Sequence, residues 1–341
     1  MFATAGMFCA IALVAACSNG NNNDNDNAGT GPDPTAATEL DRSAYSITVM
    51  TGPTSGVYYP VGGAFAEVLT EAGYNATAQE SSGSSENIQA IMGQEGDIAI
   101  AMADAAVQAY TATEAFSQSV PATDLRSLMG LWPNVCQIVT TADSGIVTFA
   151  DLRGKRVGGG ALGSGVEANA RTMFAAHDMT YEEAEISYVD YGEAIEAIKV
   201  GDMDAAFVTS GLGNATIKEL GEAKPLAFVP VEGEAAARLT AEFPYYVTTT
   251  IPADVYGTAQ DTPSVAVMNI LIADQGLPSE VVTDILELFY SEHGLQVIGD
   301  SHPTAQENIR LDTGLRGVTG IDVPIHPAAE KFFADKGVVA P

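Results

Sequence analysis

From Tyr45 to its C-terminus the chain alternates short, β-branched apolar runs with segments of helical period, and no other property restricts its fold as much. Alternation on that scale is the pattern of an α/β protein with a largely parallel sheet. Ser46-Ile47-Thr48-Val49-Met50 predicts a first strand, which runs through Thr51-Gly52-Pro53-Thr54-Ser55-Gly56 into a helix over 61–72. Further strands are expected at 97–102, from Lys155 to Gly159, and at 186–189, 205–208 and 226–229. A length of 341 residues suits two lobes better than one. There is also an internal echo: Ala90-Ile91, then Asp97 and Ala99, recurs without a gap as Ala197-Ile198, Asp204 and Ala206. Either every strand–helix–strand unit needs such an acidic turn, or the two lobes share one plan.

The N-terminal segment is of another kind. Met7 to Ala16 is an apolar run too short for a bilayer, which takes about 20 residues, and suited to the core of a signal peptide. It ends in Leu13-Val14-Ala15-Ala16-Cys17, which resembles a bacterial lipobox. Residues 1–16 are therefore expected to be a signal peptide, Cys17 the lipidated residue and 17–44 a flexible linker rich in Asn, Asp, Gly and Pro. The competing reading is an ordinary secretory cleavage site with an incidental cysteine. The expected location is extracytoplasmic, with a lipid anchor as the only membrane attachment. Cys136, in Val135-Cys136-Gln137-Ile138-Val139, reads as a buried, inert thiol.

Charge and missing motifs exclude whole classes of function. Acids outnumber Lys and Arg 44 to 14, a net charge of −30. Five of those acids and one of those bases precede residue 45, so the folded part keeps −26. Such a surface repels phosphate backbones, so no nucleic-acid partner is expected. The four histidines (His177, His293, His302, His326) are scattered, and there is no nucleophile elbow, zinc-protease helix, phosphate loop or dinucleotide fingerprint. The expectation is no enzyme, no catalytic residue, no cofactor and no metal.

What remains is three small, hydroxyl-rich loops that each precede a helical pattern: Thr54-Ser55-Gly56, Ser81 to Asn87, and Gly160 to Gly165. Such a loop presents backbone N–H groups at the positive end of a helix dipole, with serine hydroxyls as further donors. A carboxylate can be held that way without an arginine. Any one loop alone is equally an ordinary turn and N-cap. Ser55, Tyr58, Ser84, Asn87, Asp104, Ser164, Gly165 and Val166 are the candidate ligand-binding residues. Asp104 follows the strand at 97–102 and either orients a ligand's ammonium group or caps a helix over 105–112. Trp132, the only tryptophan, packs at a hinge or walls the cleft.

Gly52-x-x-x-Gly56-Val57-Tyr58-Tyr59-Pro60-Val61-Gly62-Gly63 resembles the opening of the TAXI solute-binding proteins, receptors of TRAP-type secondary transporters. Ser84-Ser85-Glu86-Asn87-Ile88, Gly163-Ser164-Gly165 and the closing Val323-Pro324-Ile325-His326-Pro327 continue the likeness, which covers roughly residues 45–341. Val166 stands where that family often has threonine, and Trp132 where it commonly has tyrosine. The resemblance implies a periplasmic-binding-protein fold of the second type, two α/β lobes with an interlobe ligand cleft and two hinge crossings near residues 140 and 248. Lobe 1 would be 45–140 with 249–341, and lobe 2 141–248. It implies capture of a small carboxylate or amino acid, such as glutamate, glutamine or a dicarboxylate, by a monomer that delivers it to a TRAP permease. The alternative is a same-fold receptor of an ABC importer, as thiamine-precursor or sulfonate receptors are.

Overall fold

The Ile/Val pattern of Ser46–Met50 forms strand β1 in the computed structural model of the chain, which describes residues 40–243 and 245–339. The expected signal peptide, Cys17 and the linker up to residue 39 lie outside the described residues. After β1 come α1 (Tyr58–Glu71), β2 (Asn75–Gln79), α2 (Ser84–Met92), β3 (Ile98–Met102) and α3 (Ala103–Thr111). The long strand β4 (Leu125–Thr141) then leads to β5 (Arg156–Gly158), α4 (Gly165–Ala176), β6 (Glu185–Ser187), α5 (Tyr191–Val200), β7 (Ala205–Ser210) and α6 (Ala215–Ala223). Next are β8 (Leu226–Val229), α7 (Gly233–Glu242), β9 (Tyr246–Ile251), α8 (Ala253–Tyr256) and a second long strand, β10 (Thr262–Asp274). Helices α9 (Ser279–Phe289), α10 (Glu292–Ser301), α11 (Pro303–Asn308) and α12 (Pro327–Asp335) finish the chain.

The strands run in the order β2-β1-β3-β10-β4-β7-β5-β6, with β8 added to β4 and β9 to β10. Pairing is parallel at both ends, in β2-β1-β3 and in β7-β5-β6, and antiparallel in the middle. The middle makes two lobes out of one order of strands. β4 lies against β10 over Leu125–Val135 and against β7 over Val135–Thr140, so it leaves one parallel set and enters the other. β10 returns the same way, from β9 to β3. The result is a two-lobed α/β fold of the periplasmic-binding type, with the chain crossing between lobes twice.

Each lobe closes on its own apolar layer. Phe65 on α1 stacks on Phe289 of α9 at 4.5 Å in the first, and Phe174 of α4 packs edge-on to Phe149 in the second. β3 (Ile-Ala-Ile-Ala-Met) is buried at every position, as a strand covered on both faces must be. The internal echo is structural. Asp97 accepts from the Thr48 amide of β1 at 2.7 Å, and Asp204 accepts from the Arg156 amide of β5 at 2.9 Å. Each aspartate also donates its own amide back to the same partner's carbonyl. One acidic turn thus fixes the same β–α–β joint in both lobes.

Four strands, β2, β4, β9 and β10, have no counterpart among the predicted ones. β2 (Asn-Ala-Thr-Ala-Gln) is a polar, largely exposed edge strand and lacks an apolar face to betray it. β4 is masked by its length and by Pro133, which sits opposite Met268 of β10 beside a register shift, where a proline is tolerated inside a sheet. Helix α1 begins at Tyr58, three residues earlier than predicted, with Pro60 in its first turn, where a missing amide hydrogen costs nothing.

Candidate functional site

The three loops read from sequence meet in space. β1, β2 and β5 each end in one of them, and the helices that follow, α1, α2 and α4, point their N-termini at a common cavity. A fourth, α5, joins after β6. The cavity is lined by Pro53, Val57 and Tyr58 at the start of α1, by Ser82, Gly83 and Ser84 at the start of α2, and by Ser164, Gly165 and Val166 at the start of α4. Tyr191 of α5, Met102, Asn134 and the β7 end Thr209-Ser210 complete it. This is the carboxyl-end position where open α/β sheets bind ligands.

Local hydrogen bonds set each helix start. Ser164 caps α4 by accepting from the Glu167 amide at 3.1 Å, and Asp190 caps α5 through the amides of Gly192 and Glu193. Gly83, at φ +118°, turns the chain into α2 in a conformation that side-chain-bearing residues resist. Ser84 Oγ accepts from the Met102 amide at 3.0 Å, tying α2 to the end of β3. The Tyr58 hydroxyl donates to Asn269 Oδ1, whose amide in turn holds the Trp132 carbonyl at 2.9 Å. Trp132 is fully buried, stands edge-on to Tyr58 and donates Nε1–H to Asn134 Oδ1 at 3.0 Å.

The lobes are closed on one another. A Cβ on Gly165 would lie 2.1 Å from Met102 Cε, one on Gly56 would lie 1.9 Å from the Tyr191 hydroxyl, and one on Gly192 would lie 2.9 Å from Ser55 Cβ. Each pair joins opposite lobes, so glycine is what lets them approach. The cavity left inside is about 30 Å³, room for a water molecule or two.

Of the eight candidate residues, Tyr58, Ser84, Ser164, Gly165 and Val166 line this cavity. Ser55 stands at its rim, with Oγ 3.5 Å from Asp190 Oδ1. Asn87 is buried and committed to the backbone: its amide donates to the carbonyls of Thr51 and Ile100, and its oxygen accepts from Ser81. Asp104 is buried in the first turn of α3 and bonds across to the second lobe, accepting from Asn169 on α4 and from the Tyr246 hydroxyl on β9. Burial pushes its carboxyl up to about 6. Tyr191 and Thr209-Ser210 were missed, although both fit the same rule of strand end followed by helix start. Asn134 gave no local signal, because its place depends on the β4 crossing.

None of the residues lining the cavity is a Lys or Arg. Helix N-termini and hydroxyls supply the positive side of its electrostatics, a set suited to a small anion or a neutral polar solute. The Cys136 thiol lies buried on β4, and burial holds it well above its ordinary range, so it is no nucleophile. Among the described residues no group of His, Cys, Asp and Glu is placed to hold a metal ion, and no helix is long and apolar enough to cross a membrane.

Comparison with known proteins gives low identities over long spans. The chain is similar to a structure from Bordetella bronchiseptica RB50 (17% identity, 76% of each chain covered, TM-score 0.49). It is similar to the periplasmic aliphatic sulphonate binding protein SsuA from Escherichia coli (11%, 75% of this chain and 78% of that one, TM-score 0.42). It is also similar to the alkanesulfonate-binding protein SsuA from Xanthomonas axonopodis pv. citri bound to MOPS (12%, 85% and 83%, TM-score 0.44). The family model that matches, over residues 49–337, corrects the expected membership of the TAXI proteins and, with it, the expected TRAP permease. Of the motifs that suggested TAXI, the first three sit at the starts of α1, α2 and α4 beside the cavity, and Val323–Pro327 lies against Ser127 of β4 at the start of α12. By that match over most of its length, the chain belongs to the NMT1-like family.

Proposed function

We propose that the chain is an extracytoplasmic solute-binding receptor that hands a small organic acid or amino acid to the membrane subunits of an ABC-type importer, without catalysis. The observation that carries this reading is the meeting of four helix N-termini, two from each lobe, on one hydroxyl-lined cavity without a fixed cation. Membership of the NMT1-like family supports the ABC-type importer as recipient. On this reading the hinge lies where Val135 is registered with both Ala266 of β10 and Ser210 of β7. Opening there parts the two pairs of N-termini, and closing brings their free amides together on the solute. With −26 on the folded part, long-range attraction does not draw an anion in, and short hydrogen bonds do the holding.

Calorimetry and thermal shift on the full chain, with small carboxylates, amino acids and alkanesulfonates, test this reading. A sulfonate belongs in the panel because its three acceptor oxygens suit several converging amides. One-to-one binding of one class, with the ligand recovered unchanged, is expected. Ser164→Trp fills the cavity and abolishes the ligand-induced rise in melting temperature. Turnover of the ligand, or a rise that survives Ser164→Trp, overturns the assignment.

A further inference from the structure

Beyond the layer of Asp104, Asn169 and Tyr246 the interlobe cleft widens into a second cavity, of about 550 Å³. Its walls come from both lobes: Gln108 on α3 and Glu114 just after it, Arg171 on α4, Arg238 and Glu242 on α7, and Phe243. That volume lies in the range of small-molecule sites.

The hydrogen-bonding groups left over in this cavity are acceptors. Arg238 is held by Asp178 through two bonds of 2.7 and 2.8 Å. Arg171 donates to Glu167 and to the Tyr188 hydroxyl and stacks on Tyr181. Both cations are therefore neutralised from outside the cavity. The carboxylates of Glu114 and Glu242 have no hydrogen-bond or ion-pair partner among the described residues. Gln108 is 4% exposed, and its side-chain oxygen is buried with no partner. A buried amide oxygen with no donor is rare in folded proteins. Burial first, then the charges of Asp104, Glu114 and Glu242, hold the hydroxyl of Tyr245, next to Phe243, well above the ordinary value against a hydrogen bond with Gln108. Phe243 stacks on Tyr245, an aromatic surface of the kind that favours a cation at its face.

We propose that this cavity is a second binding site, which takes a small alkylammonium ion: its N–H groups donate to Gln108 Oε1 and to the carboxylates of Glu114 and Glu242, and its carbon chain lies against Phe243. The site goes beyond the anion cavity at the helix N-termini and shares no lining residue with it. Because α3 belongs to one lobe and α4 and α7 to the other, occupancy favours the closed arrangement, and the two sites are coupled through it.

Calorimetry with butane-1,4-diamine on the full chain, at fixed neutral pH and 150 mM salt, tests the proposal. One saturable site is expected, weakened at least tenfold by Gln108→Leu and at least fivefold by Glu242→Gln. Glu280→Gln, which removes a charge on α9 remote from the cavity, should leave the affinity within twofold. The proposal is overturned by absence of saturable binding. It is equally overturned if Glu280→Gln weakens binding as much as Glu242→Gln, the mark of diffuse attraction to an acidic surface. Should Gln108→Leu unfold the chain, Glu114→Gln takes its place, and unchanged affinity in both glutamate variants is the overturning result.

Discussion

Asp104 on α3 and Asn169 on α4 are hydrogen-bonded across the cleft, both fully buried. Asn169 gives its amide hydrogens to Asp104 and, at 2.7 Å, to the Tyr246 hydroxyl, which leaves its own oxygen buried and without a partner. The bond joins the lobes at a point where any opening must break it.

The carboxyl of this pair makes stability depend on pH. Desolvation raises the Asp104 carboxyl to about 6 despite the donors around it, against 3.8 for the exposed group. No Lys, Arg or His is among its determinants; Tyr58, Tyr245, Tyr246 and Cys136, which feel its charge, all stay neutral in this range. Between pH 4 and 6 the folded chain therefore binds a proton that the unfolded chain does not, and this group's contribution to stability rises as pH falls through 6. Two pKa units correspond to about 3 kcal/mol. Other groups pull the opposite way: Asp204 and Asp284 are held low, as are the half-buried His177 and the buried His326, so the total curve hides the effect. Denaturant unfolding of wild type and Asp104→Asn at pH 4.5 and 7.5 isolates it. The wild type should gain relative to the variant on acidification, and parallel curves would refute the assignment.

Two glycines separate closure from folding. At Gly165 a side chain meets Met102 and Ser84 of the other lobe, whereas at Gly130 a Cβ would lie 1.9 Å from the backbone carbonyl oxygen of Arg316 within the first lobe. Lobes can part, and a packed backbone cannot. Gly165→Val is expected to weaken ligand binding at least tenfold while moving the ligand-free unfolding free energy by less than about 1 kcal/mol. Gly130→Val is expected to cost about 3 kcal/mol or more. Equal losses of stability in the two would show that Gly165 is a packing glycine.

Much of this was legible in the sequence, for identifiable reasons. The strand-end loops announced themselves because helix starts need small and hydroxyl residues, and Tyr58, Ser84, Ser164, Gly165 and Val166 all line the cavity. Asp104 was seen as a polar group at a helix start, but its bonds to Asn169 and Tyr246 depend on lobe closure, which no local pattern encodes. Asn87 has the same composition signal as its neighbours yet faces the backbone of β3, because on α2 it lies nearly a full turn past Ser84. The central strand β4 escaped because it mixes apolar runs with Gly130 and Pro133, which read as breakers.

The repeated acidic turn gives a paired prediction. Asp97 and Asp204 each accept a backbone amide from the neighbouring strand, and Asp204 also takes two guanidinium bonds from Arg156. Replacing either by alanine leaves a strand-end amide without its acceptor, at about 1–3 kcal/mol. The sites lie in different lobes and share no partner, so the double variant should lose the sum within about 0.5 kcal/mol. Denaturant midpoints of the two single variants and the double measure this, and a double variant no worse than one single would refute independence.

Trp132 is the chain's only tryptophan, and its position makes it a reporter of the cavity. It is fully buried, touches Tyr58 edge-on and holds Asn134, and both of these line the cavity. Its emission in the folded chain should be that of an indole in an apolar setting and should change on ligand binding, because opening and closing move Asn134 and Tyr58 against it. Trp132→Phe keeps most of the packing but removes the donor to Asn134 Oδ1, which then lies buried without a partner. That costs about 1–3 kcal/mol of stability. Affinity should fall several-fold as Asn134 loses its orientation, whereas a purely structural tryptophan would lower the unfolding free energy and leave the dissociation constant of the folded protein unchanged.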